Sequence, residues 1–382
     1  GMCRWYRGMI IVLILVIITL IFKKKEMIYL NANSTKALQN GYLNPSDLGY
    51  PEILNQRSKL ISFEEHIKNL VGASPDAKVI INSGATESIA NIMFWTKKTN
   101  KYGMVVGSKF DHGSVKDNAE LYELEYSQDI RNLPENTACV FMTQVNGSTG
   151  EIFNIGNYRK TILSKYILSS KKRYNYIIDD NEANLIVPLQ YRPLLVIDAS
   201  QSINKVPIKM KEWDIDAVFF SLHKLGGPEG IGILVVDNDS FVPLIAGKQQ
   251  HHLRGGTLPL ETVLEYAEIF DDFDDYNLRI DKWNHIFKYL TDAGLKVYQP
   301  KNKHLYNTLL IEVETCPLEI ISELADDGIY IGNVSSCENE DIYEKKGQDD
   351  NSYKAIRLSF ESDTNISDEV LNRIVECLKR TE

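Results

Sequence analysis

Cysteine is scarce and unpaired in this chain of 382 residues. Its 5 cysteines are scattered along the sequence, and no two of them form a CxxC motif. This spacing argues against both a disulfide framework and a cysteine-based metal site, and it favours a reducing compartment. The default interpretation of any single cysteine is a small core residue.

The chain also lacks a surplus of positive charge. Lysine and arginine number 42 against 52 aspartates and glutamates, which leaves a formal net charge of −10. A protein that binds nucleic acid needs a basic face for the phosphates. We therefore expect no nucleic-acid partner.

One apolar run stands out, residues 9–22, with Lys23–Lys25 directly after it. A bilayer core needs roughly 20 helical residues, so the run is long enough only if it starts near Trp5 and the flanking cations reach the interface. No small-residue cleavage site follows, which favours an uncleaved membrane anchor in residues 1–26 over a signal peptide. Alternatively, the enzyme begins near Met27 and the preceding residues extend a cytosolic protein. We expect the remainder to face the cytoplasm.

The rest of the chain is ordinary globular sequence, with 43% hydrophobic and 25% charged residues. From about residue 40 to 255, short apolar runs alternate with helical patterns such as the one that begins near Ala85. This alternation predicts an α/β fold with a mostly parallel sheet that is covered on both faces. After Pro259, amphipathic helices and two short strands predict a small α+β domain. The strand candidates before that point are Lys78–Asn82, Tyr102–Val106, Ala138–Met142, Tyr176–Ile178, Leu194–Ile197, Ala217–Phe220 and Ile231–Val236.

Polar side chains follow several of these strands, at the edge where open α/β sheets bind ligands. Ser83–Glu87 is a small-residue turn into a helix, which suits a phosphate, although a simple N-cap by Ser83 explains it equally. His112 follows another strand, and a lone histidine is more often structural. Asp198 ends an apolar strand without a basic neighbour in sequence, so it needs a cationic partner. Lys224 ends the next strand and precedes a run of glycines.

One ligand uses all of these groups. Pyridoxal 5'-phosphate needs a lysine for a Schiff base, a carboxylate that keeps the ring nitrogen protonated and small donors around its phosphate. The surroundings of Lys224 would lower its pKa and make it nucleophilic. We therefore predict a pyridoxal phosphate site.

The same segments resemble the class V aminotransferases of fold type I, and within them the cysteine desulfurases. The resemblance runs from about Tyr29 to the end of the chain. It implies a large domain over residues 27–255 with a mostly parallel seven-stranded sheet, and a small α+β C-terminal domain over residues 256–382. The matching motifs are YLNANSTKA, SGATES, FDHGSV, VIDASQSINKVPI, SLHKLGGPEGIGIL and QQHHLRGGTLPL.

The resemblance also implies roles for individual residues. Lys224 would form the Schiff base, Asp198 would hold the ring nitrogen, and Gln201 would bind the ring hydroxyl. His112 would stack on the ring and shuttle protons. The phosphate would be held by Ala85, Thr86, Ser221 and His223, and Thr257 would reach it from the other subunit of a homodimer. Asn146 would contact the ring. Asn33 and Arg357 would bind the substrate, and Arg357 would do so by holding the substrate's carboxylate.

Cys337, in IGNVSSCENED, stands where the family keeps a sulfur-accepting cysteine. The reaction implied is the conversion of L-cysteine to L-alanine with an enzyme persulfide on Cys337, from which a sulfur-acceptor protein would take the sulfur. The acceptor, and a preference between cysteine and selenocysteine, cannot be named from the sequence.

Two segments depart from the family pattern. In QVNGSTGEI, the family's ring-contacting asparagine aligns with Gly147, and Asn146 stands one place early. The segment after Cys337 is short and acidic. Two other interpretations therefore stay open: another class V enzyme, such as a lyase or aminotransferase on a different amino acid, and a membrane-tethered scaffold without turnover.

Overall fold

The computed structural model describes residues 50–170, 192–269, 279–333, 355–361 and 364–380. The chain divides into two compact units, residues 1–59 and 60–382. The first unit is described only from residue 50, where helix α1 (Tyr50–Leu70) begins. The features discussed below belong to the second unit. The predicted domain boundaries after residues 26 and 255 stay predictions.

A seven-stranded sheet forms the centre of the second unit. Its spatial order is β1-β7-β6-β5-β4-β2-β3, and every neighbouring pair is parallel except the two that involve β7. The sequence-based prediction of a mostly parallel sheet is therefore confirmed. The strands are β1 (Lys78–Asn82), β2 (Met104–Val106), β3 (Glu125–Ser127), β4 (Thr137–Thr143), β5 (Leu194–Asp198), β6 (Ala217–Ser221) and β7 (Gly232–Val236).

Each central strand is buried on both faces because successive side chains point to opposite sides of a sheet. In β5, Leu195 and Ile197 enter one core cluster, whereas Leu194 and Val196 enter the other. Helices cover both faces, as a parallel sheet with crossover connections requires. The helices of this part are α2 (Ala85–Thr99), α3 (Ser114–Leu121), α4 (Ile155–Tyr158), which continues as a π-helical turn over Arg159–Leu163, and α5 (Leu260–Ile269).

Helix α2 shows how the sequence pattern places a helix on the sheet. Ile89, Ile92 and Met93 are all buried, and they enter the same cluster as Leu194 and Val196. Their helical spacing predicts a common face, and the structure confirms it.

A second, three-stranded antiparallel sheet lies in the C-terminal part, in the order β8-β10-β9. Its strands are β8 (Thr308–Glu312), β9 (Gly332–Asn333) and β10 (Ala355–Ser359). Helices α6 (Ile280–Asp292), α7 (Pro317–Asp326) and α8 (Asp368–Arg380) share one hydrophobic cluster with it. This arrangement agrees with the predicted small α+β element.

The ends of β4, β5, β6 and β7 differ from the predicted bounds by one residue each, and the larger differences lie at the sheet edge. Strand β2 begins at Met104 rather than Tyr102, because Tyr102 lies in the preceding turn with 81% of its surface exposed. Strand β3 was not predicted, since its three residues at the sheet edge carry no apolar run. The candidate Tyr176–Ile178 lies outside the described residues.

No helix among the described residues is both long and apolar enough to cross a membrane. The predicted anchor at residues 9–22 lies outside the described residues and stays a prediction.

Candidate active site

A cavity of about 710 Å³ opens where the parallel strands end. It brings together the residues that follow β1, β4, β5 and β6, as the position of binding sites in open α/β sheets predicts. Of the predicted site residues, Ala85, Thr86, His112, Asn146, Asp198, Gln201, Ser221, His223, Lys224 and Arg357 line it. Thr257 is exposed and is not among the lining residues, while Asn33 and Cys337 lie outside the described residues.

Asp198 and Lys224 enter the cavity from neighbouring strands. Asp198 is the last residue of β5, and Lys224 lies in the 3-10 turn Leu222–Leu225 directly after β6. Burial raises the pKa of Asp198, while the hydrogen bond from the backbone N–H of Ser200, at 2.8 Å from Oδ1, and the charge of Lys224 lower it. A buried carboxylate with a raised pKa gains stability from an added cation such as a protonated ring nitrogen. Lys224 is exposed to the cavity.

The turn before α2 is shaped to admit a phosphate. Gly84 is the N-cap with φ 152°, a value that favours glycine, and no side chain caps the helix. The alternative that Ser83 is the N-cap is therefore wrong. Helix N-termini leave backbone N–H groups without intrahelical partners, and the helix dipole favours an anion there.

Ser221 meets this helix end across the cavity. Its Oγ accepts the backbone N–H of Ala85 at 2.9 Å, which leaves the hydroxyl proton free to be donated to an anion. The approach is close because strand β7 begins with a glycine: a Cβ on Gly232 would lie 2.5 Å from the Cα of Gly84. Gly232 is therefore required for a steric reason, because a side chain there would collide with the turn before α2.

Glu87 fixes the same turn from the helix side. Its Oε2 accepts the backbone N–H of Ser83 at 2.9 Å, and its carboxylate receives two bonds from Arg254, at 2.9 and 3.2 Å. Burial raises the pKa of Glu87, but the hydrogen bonds from Arg254 and Ser83 outweigh it, so the pKa lies below its ordinary value. Glu87 and Arg254 were not singled out in the sequence, although Glu87 falls within SGATES.

The ring of His112 has a defined hydrogen-bonding state. The backbone N–H of Ser114 donates to Nδ1 at 3.2 Å, and the Ser114 hydroxyl lies 2.7 Å from the same atom. Because a backbone amide can only donate, Nδ1 is the unprotonated nitrogen and Nε2 carries the proton of the neutral ring. His112 therefore presents a fixed tautomer at the cavity wall.

Asn146 lines the cavity, but its carboxamide oxygen is engaged in its own turn. Oδ1 accepts the backbone N–H groups of Ser148 at 2.8 Å and of Thr149 at 3.1 Å. Gly147, which aligns with the family's asparagine, has no side chain to offer. A Cβ there would lie 3.3 Å from Nε2 of Gln201, so Gln201 occupies the space beside this glycine. The predicted contact between Asn146 and the cofactor ring stays a prediction.

Arg357 reaches the cavity from β10, in the small sheet. Its Nη1 donates to the carbonyl oxygen of Gly147 at 3.1 Å, and its Nε is buried without a partner. A guanidinium held in this way beside an open cavity is suited to a carboxylate. The cavity thus combines a lysine, a buried carboxylate, a helix N-terminus and an arginine.

Comparison with known proteins agrees with this constellation. Residues 184–360 match the family model described as aminotransferase class-V. The cysteine desulfurase IscS of Buchnera aphidicola subsp. Schizaphis graminum is 28% identical over 334 residues, which cover 77% of this chain and 74% of the relative. The chain therefore resembles the class V aminotransferases over residues 184–360. A second relative, the mitochondrial cysteine desulfurase of Candida maltosa, is 31% identical over 219 residues that cover 53% of this chain and 41% of that protein.

Two solved structures share the fold of this chain. The NifS-like protein of Rickettsia africae has a TM-score of 0.70 at 17% identity and covers 89% of this chain and 92% of its own. The cysteine desulfurase CsdA of Escherichia coli has a TM-score of 0.65 at 16% identity, with coverage of 90% and 88%. At these identities the likeness establishes the fold. The predicted fold class is confirmed, and the match over residues 184–360 agrees with the predicted resemblance to class V aminotransferases.

Proposed function

We propose that this protein is a pyridoxal phosphate-dependent cysteine desulfurase that converts L-cysteine to L-alanine. The observation that carries the proposal is the convergence of Lys224, Asp198 and Arg357 on one cavity. The first two suit the cofactor and the third suits an amino-acid carboxylate. The relatives named as cysteine desulfurases support the choice of substrate.

The residues present fit the cofactor. Asp198 is a buried carboxylate with a raised pKa, and Gly84, Thr86 and Ser221 surround an anion-binding helix end. Asp198 would hold the ring nitrogen, Gln201 the ring hydroxyl, and His112 would lie against the ring. When bound, the cofactor supplies an electron sink for the bonds at the substrate's α-carbon.

The chain's own groups would orient the substrate and move its protons. Arg357 would bind the substrate carboxylate through its free guanidinium edge. Lys224 Nζ would take and return the proton at the substrate's α-carbon. His112, which lines the cavity, would donate a proton to the substrate.

Cys337 is the proposed sulfur acceptor. Its thiolate would attack the substrate sulfur, so that the carbon–sulfur bond breaks, the bonding electron pair stays with the carbon, and a proton completes alanine. The transferred sulfur would remain as a persulfide on Cys337 until an acceptor takes it. Among the described cysteines, Cys139 is unsuited to this role because burial raises the pKa of its thiol.

The assembly and location are proposed as well. We propose a homodimer in which Thr257 reaches the partner subunit's phosphate site, because Thr257 is exposed and does not line the cavity of its own chain. A sulfur-acceptor protein would be the second partner. Residues 9–22 would attach the enzyme to a membrane with its catalytic part in the cytoplasm.

The test is to incubate the purified protein with L-cysteine and a thiol reductant, and to measure alanine and sulfide together. Equal amounts are expected from the wild type. Cys337→Ser should abolish sulfide release, whereas the matched variant Cys316→Ser should keep it. Sulfide release from Cys337→Ser would remove Cys337 from the mechanism, and consumption of another amino acid without sulfide would favour a different class V reaction.

A further inference from the structure

The turn between β4 and α4, residues 146–152, connects the cavity to the C-terminal part of the chain. At its first end, Gly147 lines the cavity and its carbonyl oxygen accepts Nη1 of Arg357. At its second end, Glu151 forms an antiparallel bridge with His304. The turn therefore contacts the small-sheet region at both ends.

The carboxylate of Glu151 is the centre of the second contact, with only 6% of the residue exposed. Its Oε1 accepts the backbone N–H groups of Lys301 and Asn302 and the Asn302 side-chain amide, at 3.0, 3.3 and 3.3 Å. Its Oε2 lies 3.3 Å from the Thr149 hydroxyl and 3.4 Å from that of Tyr298. A carboxylate buried among this many donors acts as a clamp between two chain segments.

Backbone hydrogen bonds reinforce the clamp on either side of Glu151. The N–H of Ile152 donates to the carbonyl of Lys303 at 2.8 Å, and the N–H of Leu305 donates to the carbonyl of Gly150 at 2.8 Å. Gly150 adopts φ +74°, and a Cβ there would lie 3.0 Å from the carbonyl oxygen of Leu305. Glycine at this residue allows the two segments to approach closely.

The clamped segment leads directly to the strand that carries Arg357. The N–H of Tyr298 donates to the carbonyl of Leu310 at 2.8 Å, and Leu310 lies opposite Arg357 in the β8–β10 register. Arg357 then bonds back to Gly147, which closes a ring of contacts through Glu151, Tyr298, Leu310 and Arg357. The loss of the Glu151 carboxylate would therefore weaken the contacts of Tyr298 with β8, the strand that pairs with β10 at Arg357.

We propose that Glu151 is the positioning residue for Arg357, and that it sets the affinity of the site for the substrate carboxylate. The proposal rests on the carboxylate-binding role of Arg357 within the proposed function. Glu151 itself acts at a distance, through the turn and the segment 298–305. The cofactor site, built on Asp198 and Lys224, is not part of the ring.

The partners of the two carboxylate oxygens allow an experiment to separate the hydrogen bonds of Glu151 from its negative charge. All partners of Oε1 are N–H donors, whereas both partners of Oε2 are hydroxyls, which can also accept. Glu151→Gln can therefore keep its carbonyl toward Lys301 and Asn302 and donate its amide to the hydroxyls. Glu151→Ala leaves the donors without an acceptor.

The experiment titrates the holoenzyme with L-alanine and with ethylamine, its counterpart without a carboxylate, and follows the absorbance of the bound cofactor. In Glu151→Ala we expect L-alanine affinity to fall about tenfold, the effect of one lost charged hydrogen bond, with ethylamine affinity unchanged. Glu151→Gln should restore L-alanine affinity to within about twofold of the wild type. Arg357→Ala is the reference variant, because it shows how much L-alanine affinity falls when the carboxylate-binding side chain itself is removed.

Equal losses for L-alanine and ethylamine in Glu151→Ala would overturn the proposal, as would a Gln variant as weak as the Ala variant. If Glu151→Ala does not fold, Asn302→Ala keeps the backbone donors and should lower L-alanine affinity selectively by a smaller factor. An unchanged affinity ratio in that variant would then reject the clamp. Absence of sulfide release would instead refute the desulfurase proposal, because the titration requires no turnover.

Discussion

The buried carboxylate of Asp111 is tied to Thr143, the last residue of β4, by two hydrogen bonds. The backbone N–H and the hydroxyl of Thr143 donate to Oδ1 at 2.9 and 2.7 Å. Ser108 adds its backbone N–H to Oδ2 and its hydroxyl to Oδ1, both at 2.6 Å. Asp111 thus fastens the loop that carries His112 to the sheet edge on which the cavity is built.

Asp111 should make stability depend on pH. Burial raises its pKa from 3.8 to about 6, against the lowering effect of Ser108 and Thr143, and the charge of Asp198 adds to the increase. Since the folded pKa lies above the unfolded one, the native state keeps the proton longer, and stability falls as pH rises from about 4 to about 6. Between pH 4.5 and 7, the wild type should lose about 2 kcal/mol relative to Asp111→Asn, as measured by urea unfolding. Parallel pH curves for the two proteins would contradict this prediction.

Lys224 should be the lysine that binds the cofactor covalently. We expect Lys224→Ala to fold, because the side chain is exposed in the cavity, but to yield no cofactor-labelled peptide after borohydride reduction. Lys248→Ala, at an exposed loop residue, is the matched control and should be labelled like the wild type. A labelled peptide from Lys224→Ala would show that another lysine carries the cofactor.

Arg254→Lys should destabilise the turn at residues 83–87, which leads into α2, although the substitution conserves charge. Lysine cannot reproduce the two bonds that the guanidinium makes to Glu87, so we expect a loss of about 1 kcal/mol on urea unfolding. The loss should shrink in acid, because the pKa of Glu87 lies below its ordinary value and its contribution disappears as pH falls through that folded pKa.

Arg373→Lys is the control for Arg254→Lys, since Arg373 pairs with Glu323 and Asp327, which are 39% and 44% exposed. Solvent screens such pairs, and the change should be smaller. If both lysine variants lose the same free energy of unfolding, the pair of Arg254 and Glu87 stabilises the protein no more than an exposed ion pair does.

His252→Gly should stabilise the protein. Gln250, His251 and His252 adopt positive φ values of 47°, 56° and 67° in succession, and only glycine adopts this conformation without a steric cost. We expect a gain of about 1 kcal/mol in thermal or urea unfolding. His252→Ala removes the imidazole but keeps the Cβ, so it should give no gain, and a similar gain in both variants would rule out backbone strain as the cause.

Deletion of residues 1–26 should separate membrane attachment from catalysis. The apolar run at residues 9–22 is expected to be the anchor, so the full chain should sediment with membranes and the truncated chain should stay in the supernatant with its cofactor. A truncated chain that loses the cofactor would show that this segment supports the enzyme fold.

The sequence by itself determined the large sheet and the groups at its strand ends. Apolar runs followed by a polar residue identify Asp198, Ser221 and Lys224, because a strand buried on both faces exposes its first polar residue where it ends. Parallel strands bring these ends to one edge, so residues remote in sequence could be assigned to one site. An apolar run did not predict β3, because this strand has only three residues and lies at the edge of the sheet.

Only the tertiary structure decided which distant segments support that site. Arg357 bonds to a residue 210 positions earlier in the chain, and Glu151 accepts donors 150 and 151 positions later. Neither contact leaves a trace in periodicity or composition, since hydrogen bonds between loops depend on how the two sheets pack and not on local pattern. The engagement of Asn146 within its own turn was hidden for the same reason, because an amide's partner is chosen by the folded backbone around it.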